Sequence, residues 1–304
     1  MARYGCIFED SGSVDRYDRL RSIPLSVLTT IGDLVCHLAI RAASGATLIR
    51  VADAGAGTGR FAMPVAEAAK RLGVEYEVVA IDLSCRMLSR LRERWLARFD
   101  AAGLVLVRAD LQEPLPTECR NVHVAYTVAT FHILDHWREA LDNVVKNLVP
   151  GGFVILIREN NQFMHETEGF EKDRDFPRID AQLRCFMQFY HQQRAAAGEP
   201  YEPPELRYSD MLPAVRYMAE LGLVEQPVAF PPSAFEWEKP HTYADILHCF
   251  RNRQMTTWGS DLSDGAREKI SQALGKWVEA QDIDLDTEFY LPAKLIPHIF
   301  HKLS

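Results

Sequence analysis

The sequence predicts a doubly wound α/β fold: a mostly parallel sheet with helices on both faces and helical elaborations at either end forming a cap. Three observations carry that expectation. Between residues 47 and 158, short β-branched runs alternate with amphipathic stretches of helical length, the pattern of β-α-β units. The run Val51-Ala52-Asp53-Ala54 leads straight into Gly55, Gly57 and Gly59, and glycines this closely spaced let a strand turn sharply into a helix. Residues 153–157 are wholly apolar, fit for a strand buried on both faces.

Each element has its own warrant. Residues 1–46 form an N-terminal helical segment: Pro24 suits a first helical turn, and Leu25, Leu28, Ile31, Val35 and Leu38 recur near the 3.6-residue period. Strand one covers 47–54. Phe61, Val65, Ala66, Ala69 and Leu72 mark the helix after it, and Gly73 ends that helix. Strand two covers 76–82, and Ser84 can cap a helix carrying Met87, Leu88, Leu91 and Trp95. Strand three, 104–107, runs to Asp110-Leu111, where Pro114 and Pro116 forbid an immediate long helix. Strand four covers 122–127. A helix over 137–148 follows, with Ala140, Leu141, Val144, Val145 and Leu148 on one face, and Pro150-Gly151-Gly152 breaks it before strand five.

Beyond residue 158 the texture changes. Residues 159–208 are polar, aromatic and charged, a cap or lid insertion with one helix over 179–197. Residues 209–240 supply a last core helix, stopped by Gly222, and a closing antiparallel hairpin of 223–230 and 235–238 around Pro231-Pro232-Ser233. That makes seven strands. Residues 241–304 read as a C-terminal helical extension.

Composition excludes several function classes. The net charge of −8 argues against a non-specific nucleic-acid binder, which needs a basic surface to release counterions. Arg86, Arg90, Arg92, Arg94 and Arg98 cluster, but Leu88, Leu91 and Trp95 interleave them, so they read as the solvated face of an amphipathic helix. Six scattered cysteines without a C-x-x-C pair indicate reduced thiols and a cytoplasmic setting. Residues 25–40 contain Asp33 and His37 and read as too short and too polar to span a bilayer.

The glycine turn carries the chemistry. It delivers backbone N–H groups at a helix N-terminus, the usual way an α/β sheet holds a nucleotide-like ligand. Gly57-Thr58-Gly59-Arg60-Phe61-Ala62 also satisfies the dinucleotide pattern G-x-G-x-x-A, which keeps a nicotinamide or flavin oxidoreductase open. Asp53 weighs the other way, because a carboxylate beside the first glycine repels a pyrophosphate and suits a ligand with a cationic amino acid end. Asp82 closes strand two, 23 residues beyond Gly59, where an acid can accept both ribose hydroxyls of an adenosine group; capping the next helix is its alternative role.

Asp53-x-Gly55-x-Gly57-x-Gly59 after a strand resembles the first motif of class I S-adenosylmethionine-dependent methyltransferases. Ile81-Asp82-Leu83-Ser84-Cys85-Arg86-Met87-Leu88 and Pro150-Gly151-Gly152-Phe153 follow in the family's order and at its separations. The resemblance is to the small-molecule branch. It covers roughly residues 47–160 well and 209–240 loosely, and implies a Rossmann-like core over 47–158 with S-adenosyl-L-methionine as cofactor. Asp53 and the backbone of Gly55, Ala56 and Gly57 would face the methionine end, and Asp82, with Leu83 beside it, the ribose. Asp110 would accept from the adenine amino group while the Leu111 N–H meets the ring; an acid in a turn is its plainer alternative. Met87 would pack on the adenine or lie in the core, and Tyr126 completes the set at the end of strand four.

Strand four begins Asn121-Val122-His123 where the family often has an acid. It runs on to His132, which corresponds to a histidine often seen in the small-molecule branch. As general base it would take a proton from a hydroxyl or amine; otherwise it is a histidine bonded within its loop. His132 and His136 also have the spacing of a helical metal pair, but no third ligand stands in register, so no metal is assigned. Tyr126-Thr127-Val128-Ala129 is not the Asn/Asp-Pro-Pro-Tyr/Phe element of nucleic-acid methyltransferases. The expectation is methyl transfer to a small-molecule acceptor, without nucleic acid or membrane. A mobile lid over 159–178, and aromatics Phe163, Phe170, Phe186, Phe189, Tyr190, Tyr201 and Tyr208, would enclose the acceptor or form a helical core. A protein methyltransferase and a non-catalytic cofactor-binding module are the remaining alternatives.

Overall fold

The computed structural model of the chain describes residues 23–161, 181–200, 211–251 and 262–303. The elements run α1 (Leu25–Ala43), β1 (Leu48–Ala54), α2 (Ala62–Leu72), β2 (Glu75–Asp82), α3 (Cys85–Leu96), β3 (Leu104–Arg108), β4 (Val122–Val128), α4 (Trp137–Lys146) and β5 (Leu148–Asn161). Then follow α5 (Ala181–Ala196), α6 (Leu212–Glu220), β6 (Leu223–Gln226), β7 (Glu236–His241), α7 (Tyr243–Arg251), α8 (Asp264–Ala280) and β8 (Phe289–Lys302). One eight-stranded sheet has the order β3-β2-β1-β4-β5-β8-β6, with β7 also paired to β8. β1 to β5 are mutually parallel, and β8 runs antiparallel to β5, β6 and β7. Strand order reverses between β1 and β4, and ligands of open α/β sheets bind in the crevice this leaves at the carboxyl ends.

Alternation along the strands divides the core. Val51, Tyr126, Ile155 and Ile157 face a layer built from α1, α2 and α3, through Ile31, Val35, Val65, Leu91 and Trp95. Ala52, Ala125, Val154 and Leu156 face α4 and α6, through Leu141, Val144, Ala214 and Met218. α1, expected to be too short and too polar for a bilayer, is 19 residues long and apolar enough to cross one by length and composition, yet Val27, Ile31, Leu34, Val35 and Leu38 are buried within this core. A third cluster, Phe186, Tyr190, Ile246, Phe250, Ile270 and Leu274, joins α5, α7 and α8 with Leu291 of β8.

Three expectations are corrected, and the sheet has eight strands where seven were expected. No hairpin closes the sheet: residues 223–226 and 236–241 each pair with β8 instead of with one another. The helical extension over 241–304 therefore ends in the sheet's longest antiparallel strand. Pro292 and Pro297 concealed it, since proline removes a ladder donor and argues against a strand interior. The alternation of buried Leu291, Ala293 and Leu295 was the strand signal. In addition, Pro150-Gly151-Gly152 lies inside β5, at a register shift against β4, and does not precede the strand. Most other boundaries fall within three residues of expectation, but β5 runs four residues past 157 and β6 stops four short of 230; Gly73 ends α2 in the left-handed conformation.

Candidate functional site

β1 delivers Asp53 to the switch point, where it pairs with Ala80 of β2 on one side and Tyr126 of β4 on the other. The chain then turns through Gly55 and Gly59 with φ of 86° and 79°, a region costly for any residue with a Cβ. Contact also demands glycine. A Cβ on Gly55 would lie 2.2 Å from Thr130 Oγ1, and one on Gly59 2.6 Å from Leu91 Cγ. The loop is thus wedged between α3 and the segment after β4.

Asp82 fastens this loop to β2. Its Oδ2 accepts the Gly57 N–H at 2.8 Å and its Oδ1 the Ser84 N–H at 2.9 Å. The Gly55 and Ala56 N–H groups both donate to the Ile81 carbonyl, at 2.8 and 3.0 Å. Ser84 caps α3, its hydroxyl accepting the Met87 N–H at 3.3 Å, so the helix cap does not depend on Asp82. The Asp82 carboxylate can still take hydroxyl donors on its remaining lone pairs.

Asp53 is 3% exposed, and its Oδ2 and the Tyr126 hydroxyl lack a well-formed hydrogen bond. Burial pushes the Asp53 carboxyl up to about 7; the adjacent Tyr126 hydroxyl opposes the rise and the Asp82 charge adds to it. Burial likewise raises the Tyr126 phenol, helped by Asp53. A buried carboxylate oxygen without a partner is the complement of an ammonium group.

The other expected residues divide. Asp110 follows β3 and folds into an Asx turn, Oδ1 accepting the Gln112 N–H at 3.0 Å and its Nε2 at 3.1 Å. Gln112 Oε1 in turn accepts the His136 N–H at 2.8 Å, tying this loop to the start of α4. Leu111 and Met87 are buried, as core residues are, while Leu83 is exposed and its carbonyl accepts from Arg108 Nε. His132 sits in the single 3-10 turn Phe131–Ile133 after β4, with both ring nitrogens shielded from solvent. His136 lies at the N-cap of α4, so the two histidines share no helix face. Ala129, the residue after β4, has φ of 55°, the left-handed region that non-glycine residues enter at a cost.

The sequence reading missed Arg94. Its Nη1 donates to the Thr58 carbonyl and hydroxyl, both at 3.1 Å, clamping the glycine loop from α3. Its spacing of three from Leu91, which fills the notch at Gly59, was the available signal. Phe186 and Tyr190 belong to the helical core, and Phe189 stacks on Trp277. The expected lid beyond Asn161, with Phe163 and Phe170, and Tyr201 and Tyr208, lie outside the described residues.

Comparison with known proteins agrees with this geometry. Residues 51–152, from β1 into β5, match the methyltransferase-domain family. A candidate methyltransferase from Bacillus halodurans, 15% identical, aligns with 90% of this chain and 99% of its own at a TM-score of 0.51. The CcbJ methyltransferase of Streptomyces caelestis, 24% identical, aligns over 55% of this chain and 61% of its own at 0.43. The plantazolicin methyltransferase BpumL, solved with S-adenosylhomocysteine, aligns over 100% and 95% at 12% identity and 0.46. No curated protein matches the chain in a sequence search.

Proposed function

We propose that this chain, whose residues 51–152 match the methyltransferase-domain family, is an S-adenosylmethionine-dependent methyltransferase that methylates a small organic acceptor at oxygen or nitrogen. The observation that carries the reading is the buried Asp53 at the strand switch point, beside Tyr126 and two residues before the glycine loop, with an Oδ2 that lacks a well-formed hydrogen bond. That donor set fits the cofactor. Asp53 and Tyr126 would hold the amino acid end, Gly55 to Gly57 the backbone side, Asp82 the ribose, and Asp110 with Leu111 the adenine. A pyrophosphate would oppose the ionisation of Asp53 that an ammonium favours.

When bound, the cofactor supplies an electrophilic methyl on a sulfonium. The chain contributes alignment and exclusion of water, which make displacement effectively unimolecular. His132, at the carboxyl end of β4, is the proposed general base for a hydroxyl or amine nucleophile. The acidic net charge favours a small acceptor over nucleic acid. A cytoplasmic setting fits the described cysteines 36, 85, 119 and 185, all of which are free. Mass spectrometry of the denatured, purified protein should release S-adenosylmethionine or S-adenosylhomocysteine. Release of a nicotinamide nucleotide would overturn the assignment.

A further inference from the structure

β5 outruns its parallel neighbour. β4 ends at Val128, opposite Ile157, while β5 continues to Asn161 against β8. Ile155 and Ile157 lie in the core layer that also holds Tyr126, and Glu159 is the next residue on that face. On β7, Trp237 packs against the same core, and Lys239 and His241 follow at period two. Beyond the end of β4, the face bearing Asp53 and Tyr126 is thus walled on its β5 side by four polar-bearing side chains.

Their chemistry is unlike that of a packed core. Lys239 Nζ donates to Glu159 Oε1 at 3.2 Å, with side chains only 5% and 3% exposed. Arg71–Asp33, Arg90–Glu93 and Arg98–Glu67, by contrast, lie near solvent. Burying an ion pair returns little net stability compared with apolar residues of the same size, so packing does not require one here. The Trp237 indole N–H is buried with no hydrogen bond, a donor wanting an acceptor. His241 stacks on Phe289, and burial together with the Lys239 charge, opposed by Glu159, holds it down to about 3, hence neutral.

We propose that Lys239, paired with Glu159 and sharing its strand face with the Trp237 indole and His241, anchors the carboxylate of an organic-acid methyl acceptor. The proposal rests on the methyltransferase reading and gives its acceptor a chemical class. Lys239 has three N–H donors and gives one to Glu159, so a carboxylate can share the ammonium and take the indole N–H. The asymmetry against an amine acceptor comes from Trp237, whose buried indole N–H can only donate and so has nothing to offer an ammonium. Glu159 stands two residues beyond Ile157, the partner of Val128 at the end of β4, and Lys239 reaches it from β7 across β8, which sets the anchor beyond the end of β4.

Calorimetric titration of the full chain, loaded with S-adenosylhomocysteine, tests this with benzoate, benzamide and benzylamine, three probes of one size and different charge. Benzoate should bind and the other two should bind at least tenfold more weakly. Lys239→Met should weaken benzoate at least tenfold while changing the S-adenosylhomocysteine Kd less than twofold. The double variant Glu159→Gln/Lys239→Met leaves no unpaired buried charge and should behave alike if the single variant misfolds. Equal binding of benzamide or benzylamine, no binding of benzoate, or benzoate binding untouched by either variant overturns the proposal. Failure of the wild type to take S-adenosylhomocysteine overturns the methyltransferase reading instead.

Discussion

At Asp53 a single buried side chain would tie both stability and the proposed cofactor binding to pH. Its carboxyl is raised from 3.8 to about 7, so the free protein prefers it protonated. A raised folded-state value means this stability is fully present below about pH 4 and is lost as pH climbs through about 7. The loss is on the order of 4 kcal/mol. Asp53→Asn should therefore flatten the fall in Tm of the ligand-free protein between pH 5 and 8; parallel curves for variant and wild type would refute it. An ammonium ligand reverses the preference, so S-adenosylmethionine affinity should rise with pH through about 7, with proton release detectable by calorimetry in buffers of different ionisation enthalpy. Asp82→Ala removes the acceptor of the Gly57 N–H and the proposed acceptor of the ribose hydroxyls, and should weaken S-adenosylhomocysteine by about 1–3 kcal/mol. An unchanged Kd in a folded variant would leave Asp82 a purely structural brace.

Among the elements, the glycine loop and α3 act as one clamp. Arg94→Met should cost S-adenosylhomocysteine binding about 1–2 kcal/mol through loss of both bonds to Thr58, and Arg94→Lys should recover part of it; equal loss in both would point to folding instead. Gly55→Ala combines a strained φ of 86° with the Thr130 clash and should destabilise by about 2–5 kcal/mol. Gly45→Ala, at φ 92° with nothing within 4 Å, should cost about 1–2 kcal/mol, and equal Tm losses in the two would discount the clash. The loop itself was legible because close-set glycines after a β-branched run have few other uses. Arg94 was not, since a guanidinium at helical spacing looks alike whether it faces water or a carbonyl. β8 escaped for another reason: two internal prolines masked its alternation, and the three partners that fix it as a strand lie far off in sequence.

At the scale of the whole molecule, β8 makes the second half of the chain part of the first. It lies between β5 and β6, carries β7, and contributes Leu291 to the core of α5, α7 and α8. Deleting residues 289–304 should abolish cooperative unfolding altogether, whereas a chain whose core closed with its own hairpin would keep a sharp transition. The fold class and the switch-point site could be read from local pattern, because parallel β-α-β units repeat on a short period. The buried Glu159–Lys239 pair could not, since its two residues stand eighty apart in sequence. The claim on which all of this depends is that the crevice at Asp53 holds S-adenosylmethionine. Calorimetric titration of the full chain with S-adenosylhomocysteine, and separately with NADH, tests it most directly. Saturable heat at micromolar affinity with the first and none with the second is the expected result; heat with NADH alone would contradict it.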